Sequence, residues 1–198
     1  MPRPPTHRAT FADLAALPDD VSAEIVGGRV VPLPTPSFAH GDVVATLGEL
    51  LVPYRSRRGG GLGGWWMATS VDVALDPHEV YCPDLVGWRW DRVPERPKTS
   101  PHVPRPDWVC EVQSPGTSRR DRVDKLLTCH RVGVPHYWLV DPADRVLVVH
   151  RWAPEGYLVA LVAAERGQVR PEPFDALPMC LEDLFGAEPV GLHATSVS

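Results

Sequence analysis

Several features typical of membrane, secreted and zinc-binding proteins are missing from this sequence of 198 residues. No run approaches the ~20 apolar residues of a membrane-spanning helix. The opening segment Met1–Pro5 is proline-rich rather than apolar, unlike a signal peptide. The four cysteines are widely spaced, with no C-x-x-C pair of the kind that binds zinc. We therefore expect a cytoplasmic protein whose cysteines are reduced and structural.

A surplus of positive charge is also missing, since the formal net charge is −5. This balance argues against a protein that coats nucleic acid through its overall field. The stretch 119–131 is a local exception, because it holds five basic and two acidic residues, a balance of 5 − 2 = +3. From a helix, Arg119, Arg120 and Arg122 can contact phosphates of nucleic acid, although a solvated helix face explains them equally well.

Proline, by contrast, is abundant. The 23 prolines disfavour long helices over much of the chain and favour extended segments and firm turns. Five of them fall between residues 89 and 106, which predicts a long proline-rich loop there. The length fits one domain spanning residues 1–198, with a loose N-terminal tail over residues 1–9.

The order of predicted elements indicates an α/β or α+β protein with a mixed sheet at its centre. Thr10 can cap a short helix that ends near Leu17. Residues 23–33 predict a hairpin that turns at Gly27 and Gly28, because paired glycines suit a tight turn. The remaining elements are a helix from about His40 to Tyr54, strands over 65–75, 81–88 and 108–112, a helix from Ser118 to about Val132, strands over 136–140, 146–152 and 157–163, and a short helix over 181–185.

Two carboxylates and a lysine follow one another along the predicted sheet and helix. Asp84 stands in a Pro-Asp dipeptide, Glu111 ends an apolar strand, and Lys125 lies in the basic helix. Hard oxygen ligands and a nearby cation are what metal-assisted phosphodiester cleavage requires. If the two strands are neighbours, the two carboxylates converge. Asp107 shares a face with Glu111, but four strand residues separate them by roughly 13 Å, too far for one ion.

Four segments together carry a specific family pattern. They are Pro83–Val86, Asp107–Thr117, Arg120 to Lys125 and Gly133–Pro142. In combination they resemble the Uma-two-type restriction endonucleases of the PD-(D/E)XK nuclease superfamily. The resemblance extends over most of the chain. It implies a restriction-endonuclease-like core, with a mixed central β-sheet flanked by helices and an N-terminal β-hairpin. It also implies Mg²⁺ (or Mn²⁺) as cofactor, DNA as the nucleic-acid partner and a homodimer.

The resemblance also implies roles for single residues. Asp84 and Glu111 would be catalytic metal ligands, Glu24 would add to the metal site, and Lys125 would be the basic catalytic residue, moved onto the helix. Gln113 fills the slot where the superfamily often has lysine, so it would position a ligand or a water without offsetting charge.

Two further residues would support the site from outside, namely His40 and Asp121. Two other positions depart from the family pattern: Cys129 stands where tyrosine is usual, and Gly27 where aspartate is frequent.

Each candidate also has a structural interpretation. Asp84 can cap a strand, Lys125 can be a solvated residue paired with Asp121, and Gln113 can be an ordinary hydrogen-bonding residue. The functional hypothesis is an endonuclease that hydrolyses DNA through a metal-activated water. One alternative is a weak or inactive nuclease-fold protein that binds nucleic acid or protein. Another is a structural or regulatory protein with no nucleic-acid role.

Overall fold

The computed structural model describes residues 7–55, 62–114 and 120–186, and of residues 120–122 only the backbone. A π-helical turn, Arg120–Lys125, directly precedes α4. The elements follow in the order α1 Phe11–Ala15, β1 Ala23–Val26, β2 Arg29–Pro32, α2 Phe38–Leu50, α3 Val52–Arg55, β3 Trp65–Thr69, β4 Val73–Asp76, β5 Glu79–Tyr81, β6 Leu85–Arg89, β7 Trp108–Val112, α4 Leu126–Arg131, β8 His136–Asp141, β9 Val146–Ala153, β10 Gly156–Ala164, β11 Gln168–Val169, β12 Met179–Cys180 and α5 Leu181–Phe185. Within these ranges, no helix is long and apolar enough to cross a membrane.

The centre of the fold is a mixed sheet with the strand order β10-β9-β8-β7-β6-β3. β7 and β8 are parallel, and the other neighbours are antiparallel. Because parallel neighbours need a crossover, the chain passes through α4 between them. The predicted mixed sheet is therefore confirmed.

A second sheet has the order β2-β1-β5-β4 and contains the N-terminal hairpin. The hairpin turns at Gly27 and Gly28, whose φ angles are 59° and 75°. Positive φ at both turn positions is what a tight two-residue hairpin requires, and glycine supplies it without strain. The Thr10 cap is also present, with Asp13 accepting from its backbone N–H at 2.7 Å.

Two predicted strands are wrong in the same way, because each is divided between the two sheets. Residues 65–75 form β3 in the central sheet and β4 in the second one, and residues 81–88 form β5 and β6. The breaks lie at Ser70, which has a φ of 50°, and at Pro83, which has no N–H to donate to a ladder. Ser70 N–H donates to the Pro83 carbonyl at 3.1 Å, so the two crossovers lie side by side.

The helix predicted from Ser118 is described only from Arg120 onward, and its proposed cap lies outside the described residues. The first turn is π-helical rather than α-helical. The helix ends as expected near Val132, where Gly133 has a φ of 77°. The wider π turn changes which side chains face the sheet, and such turns are frequent at functional sites.

The proline-rich loop between β6 and β7 lies against the sheets. His102 forms a bridge with Val73, and Trp88 Nε1 donates to the Pro104 carbonyl at 2.7 Å. Of the predicted loose tail, residues 1–6 lie outside the described residues. Ala9 N–H donates to the Gly28 carbonyl at 2.9 Å, which ties the chain to the hairpin from that point.

Side chains of β7 alternate between two apolar clusters on opposite faces of the central sheet. Trp108 and Val112 pack in one cluster with Phe174, while Val109 packs in the other with Cys129 of α4. Because successive strand residues point to opposite faces, Glu111 shares the face of Val109. This alternation aims Glu111 toward α4 and the turn that precedes it.

Tyr137 and Trp138 both have 0% exposed surface. Both are therefore core aromatics, since base stacking would require exposure.

Candidate active site

A cavity of about 470 Å³ lies beside the two crossovers between the sheets. Its polar lining includes His40, Asp72, Cys82, Asp84, Glu111 and Lys125. These residues come from the start of α2, from the crossovers, from β7 and from the π-helical turn. The structure therefore gathers Asp84, Glu111 and Lys125, the set predicted from the sequence, around one cavity.

Lys125 lies between two carboxylates from different sheets. Its Nζ is 2.8 Å from Glu24 Oε1 and 3.0 Å from Glu111 Oε1. The exposed fractions are 3% for Lys125, 3% for Glu111 and 0% for Glu24. Buried charges are tolerated when they are paired. The alternative of Lys125 as a solvated helix residue is therefore wrong.

The aromatic ring of Tyr81 supports the same ammonium. Lys125 Nζ lies 5.7 Å from the ring centroid, within the range of a cation–π interaction. Burial raises the pKa of Tyr81, so its phenol stays neutral and donates to Glu79 Oε2 at 2.9 Å. The contact of Tyr81 with Lys125 could not be predicted from the sequence, because it depends on how the π-helical turn packs on the second sheet.

Asp84 lies beside Glu111 because β6 and β7 are antiparallel neighbours that pair Leu85 with Cys110. Its Oδ2 accepts from the Val112 backbone N–H at 2.7 Å. Its Oδ1 is 3.0 Å from His40 Nε2. The two contacts fix the carboxylate at the mouth of β6, as expected for neighbouring strands.

His40 connects Asp84 to a residue that sequence reasoning missed. Its Nδ1 is 3.0 Å from Ser114 Oγ, which gives the chain Ser114–His40–Asp84. Ser37 caps α2 by accepting from the His40 backbone N–H, so the first helical turn places the imidazole. The position of Ser114 directly after Gln113 was the available signal for its involvement.

Glu24 reaches the site from β1. Besides binding Lys125, its Oε1 accepts from the Cys82 backbone N–H at 2.8 Å. This contact ties the N-terminal hairpin to the crossover that precedes Asp84.

Burial controls protonation elsewhere in the cavity lining. It raises the pKa of the Cys82 thiol to about 12, so the thiol is protonated at neutral pH and is a poor nucleophile. Burial also raises the pKa of Asp72, which lies at the neighbouring crossover.

Cys129, where the family usually has tyrosine, is fully buried, and burial raises the pKa of its thiol.

Gln113 does not line this cavity. It lines a second one of about 400 Å³ together with Leu126, Leu139 and His150. Lys125 and Leu126 are consecutive, so the start of α4 has one residue in each cavity. Gln113 and Asp84 thus line different cavities.

Two other groups of candidates stand apart. Arg119 lies outside the described residues, and the side chains of Arg120, Asp121 and Arg122 are likewise not described. Asp107, rejected as a ligand from strand spacing, accepts from Arg92 Nε at 2.7 Å and from the Arg89 backbone N–H at 2.8 Å. It is a buried structural carboxylate at the entrance to β7.

The sequence pattern of the Uma2 family, described as a putative restriction endonuclease, matches residues 8–183. The chain belongs to the Uma2 family. It is also similar to a crystal structure of a putative nuclease belonging to DUF820 from Anabaena variabilis ATCC 29413, with a TM-score of 0.68 and 22% identity. The match covers 89% of this chain and 97% of that chain, which shows a shared fold. No curated protein matches the chain.

The donors of this Uma2 cavity suit a hard cation. Among the residues that the structure describes, no group of three or more His, Cys, Asp or Glu side chains is arranged to hold a metal ion. Mg²⁺, however, is usually bound through one or two carboxylates, with waters and phosphate oxygens completing its shell. Asp84 and Glu111, which line one cavity, provide that number of carboxylates. The residues present therefore fit Mg²⁺ or Mn²⁺ by their chemistry.

Proposed function

We propose that this Uma2 protein is a metal-dependent endonuclease with a restriction-endonuclease-like core, which hydrolyses DNA phosphodiester bonds. The observation that carries the proposal is the buried Lys125 ammonium, 3.0 Å from Glu111 in the cavity that also contains Asp84. A fixed cation stabilises the charge developing on a phosphate, and a carboxylate pair can hold a second cation, a metal ion, for the same purpose. Family membership supports the same chemistry.

Each residue has a distinct part in the proposal. Asp84 and Glu111 would hold the Mg²⁺ or Mn²⁺ ion, with Glu24 as a further carboxylate beside Lys125. When bound, the ion supplies an activated water and offsets negative charge. The Lys125 ammonium, held in place by Glu24, offsets charge on the non-bridging phosphate oxygens. His40 keeps the Asp84 carboxylate oriented through their 3.0 Å contact.

Three further expectations belong to the same proposal. Arg119, Arg120 and Arg122 contact phosphates next to the scissile bond. Two subunits form a homodimer. Gln113 positions a water or a ligand. This last role has the least support, because Gln113 lines the second cavity.

A second candidate function is an inactive nuclease-fold protein that binds nucleic acid or protein. The pairing of Lys125 with both Glu24 and Glu111 favours it, because the ammonium already occupies one oxygen of each carboxylate.

A plasmid-nicking assay with Mg²⁺ or Mn²⁺ tests the nuclease. We expect the wild type to nick and Glu111→Gln, Asp84→Asn and Lys125→Gln to lose roughly hundredfold to thousandfold in rate, as when one transition-state contact is removed. The matched control is Asp91→Asn, an exposed acid paired with Arg89 in the loop after β6, which should nick like the wild type. Thermal unfolding of each variant shows whether a lost activity reflects a lost fold.

Calorimetry with Mn²⁺ separates the two candidate functions. A nuclease takes up Mn²⁺ in a manner that Glu111→Gln abolishes. A wild type that takes up no Mn²⁺ and nicks no DNA would favour the binding protein. Nicking that survives both Asp84→Asn and Lys125→Gln would contradict the proposed site, because those residues would then not be needed for cleavage.

A further inference from the structure

One wall of the active-site cavity is uncharged throughout. We call it the apolar wall, and it is formed mainly by Phe11, Leu14, Leu17, Val21 and Leu33. It comes from α1, the segment that follows it and the end of the hairpin. Asp84, Glu111 and Lys125 line the same cavity. The cavity thus offers both charged groups and apolar side chains to one ligand.

We propose that this cavity takes an unpaired nucleotide of single-stranded DNA, with the base packed on the apolar wall and the phosphate beside Lys125. The inference rests on the proposed nuclease function and narrows its substrate to DNA that is unpaired at the scissile nucleotide, which a supercoiled plasmid offers where its duplex opens locally.

Recessed reacting groups favour an unpaired nucleotide over a duplex. Lys125 and Glu111 are each 3% exposed, so the scissile phosphate must enter the cavity to touch them. Base pairing holds a duplex phosphate on the surface of a wide, stiff cylinder. An unpaired nucleotide can rotate about its backbone and carry both base and phosphate into a recess, as enzymes that act on extruded bases require.

The size of the cavity agrees with a single nucleotide. Clefts of about 300–1,000 Å³ enclose most of the surface of a small molecule. The cavity of about 470 Å³ lies in the lower part of that range. It can enclose one nucleotide but not a segment of double helix.

The chemistry of the apolar wall suits a base rather than a second phosphate. Phosphates are bound by N–H and O–H donors, whereas every base has an apolar face that packs on aromatic and aliphatic side chains. Phe11 and Leu14 pack on the small cluster of Ala9, Ile25 and Val80, yet both still line the cavity. Val21 lines the cavity and is 41% exposed, so its side chain is accessible to a bound group.

Fluorescence anisotropy with a labelled 12-nucleotide strand and with the blunt duplex of the same sequence tests the proposal on the full chain. Both DNAs are measured in EDTA, so that binding is read without cleavage. We expect the single strand to bind at least roughly tenfold more tightly than the duplex.

Two variants of the apolar wall complete the test. Val21→Glu places a negative charge against the nucleotide and should weaken single-strand binding roughly tenfold. Its control is Val30→Glu, at a residue of β2 that is 37% exposed and outside the cavity lining. Phe11→Leu removes the ring and keeps apolar volume, so a roughly fivefold loss is expected, within the range for one base on one aromatic ring. Phe38→Leu, at a side chain 89% exposed, should change nothing.

Equal binding of the two DNA forms would overturn the inference, as would equal effects of Val21→Glu and Val30→Glu in proteins with unchanged melting temperatures. Cleavage of the same two DNAs distinguishes this failure from failure of the nuclease. If neither DNA is cut but Val21→Glu alone weakens single-strand binding, the nucleotide site stands and the nuclease proposal fails. If both DNAs are cut equally by wild type and Val21→Glu, the nuclease stands and the nucleotide site fails.

Discussion

At the scale of single residues, buried charge takes two different forms around β7. Glu111 and Lys125 pair in the lining of a cavity, so a substrate inside the cavity can reach them. Asp107 pairs with the Arg92 guanidinium through two hydrogen bonds of 2.7 and 2.8 Å, and it does not line the cavity. Both carboxylates are almost fully buried, so burial alone does not distinguish a candidate catalytic acid from a structural one. Access to a cavity distinguishes the two.

Asp107→Asn should destabilise the protein without altering cleavage. The substitution removes the charge opposite Arg92, and hydrogen bonds to charged groups contribute roughly 1.5–3 kcal/mol. We expect a decrease of about 2 kcal/mol in the free energy of unfolding, measured by urea titration. Asp91→Asn is the control, because its pair with Arg89 is exposed and should contribute less than ~1 kcal/mol. A selective loss of nicking by folded Asp107→Asn would contradict the structural role.

His136 should make the protein less stable as pH falls. Burial lowers the pKa of His136 below its ordinary value of 6.5, with Glu172 and Asp107 opposing the shift and Arg151 and Arg89 adding to it. The unfolded chain therefore binds a proton more readily than the folded one. The free energy of unfolding is fully maintained above pH 6.5 and falls as pH drops through the lowered pKa.

The slope from one such histidine is at most about 1.4 kcal/mol per pH unit. Urea titrations between pH 7 and pH 5 should show a shallower decline for His136→Gln than for the wild type. Parallel declines in the two proteins would refute the assignment, whatever their absolute stabilities.

At the scale of elements, the position of the site depends on where strands leave one sheet for the other. The alternation of Val71, Val73 and Leu75 predicted one continuous strand. Alternation shows which side chains share a face, but it does not show that a strand leaves one sheet and joins another. The left-handed φ of Ser70 and the missing N–H of Pro83 divide these runs. Asp84 lies at one resulting crossover, directly next to the cavity.

Substituting alanine for glycine should lower the free energy of unfolding in β6 and raise it in α2. In β6, a Cβ at Gly87 would lie 3.1 Å from the Trp65 ring and 3.2 Å from the Trp108 ring, closer than ordinary contact. We expect Gly87→Ala to lower the free energy of unfolding by about 1–3 kcal/mol through overpacking.

Gly48 is the matched counterpart in α2, where a Cβ would meet no atom within 4 Å. Gly48→Ala should raise the free energy of unfolding by about 1 kcal/mol, because alanine restricts the unfolded chain and favours the helix. Urea titration of both variants measures the pair. A stabilised Gly87→Ala would show that the two indole rings move apart at little cost.

At the scale of the whole molecule, the central sheet ends in an uncharged strand. β10 pairs with β9 on one side and lies at the edge of the sheet in the strand order. Its exposed side chains include Leu158, Val159 and Val162, with exposed fractions of 52%, 58% and 62%. Natural edge strands usually carry charges, prolines or bulges that prevent pairing with another chain. β10 has a bulge near Ala160 but no charge or proline.

If the proposed homodimer pairs through this edge, Val162→Lys should shift it toward monomer. A lysine on an edge strand opposes close approach of a second copy. Sedimentation velocity over a concentration series measures the change. Val103→Lys, at a loop valine that is 67% exposed, is the control and should leave the dimer intact. Dimers that persist equally in both variants would show that β10 is not the interface.

Much of the architecture follows from short-range rules that can be applied to the sequence. Four features each depend only on neighbouring residues: the Thr10 cap, the glycine turn of the hairpin, the end of α4 near Gly133, and the terminal helix α5. The family pattern also comes from local segments, and it selected Asp84, Glu111 and Lys125 together. The rise per residue along a strand then sufficed to reject Asp107 as a ligand.

Only the tertiary structure decided which partners these groups have. A buried charge requires a partner, but the sequence does not say which distant segment brings one. The pairing of Lys125 with Glu24 joins the π-helical turn to the N-terminal hairpin, and Ser114 reaches Asp84 through His40. Gln113 shares a strand face with Glu111 yet lines the other cavity, which alternation along the strand does not predict. Local chemistry thus selected the residues, and packing between distant segments determined which of them meet.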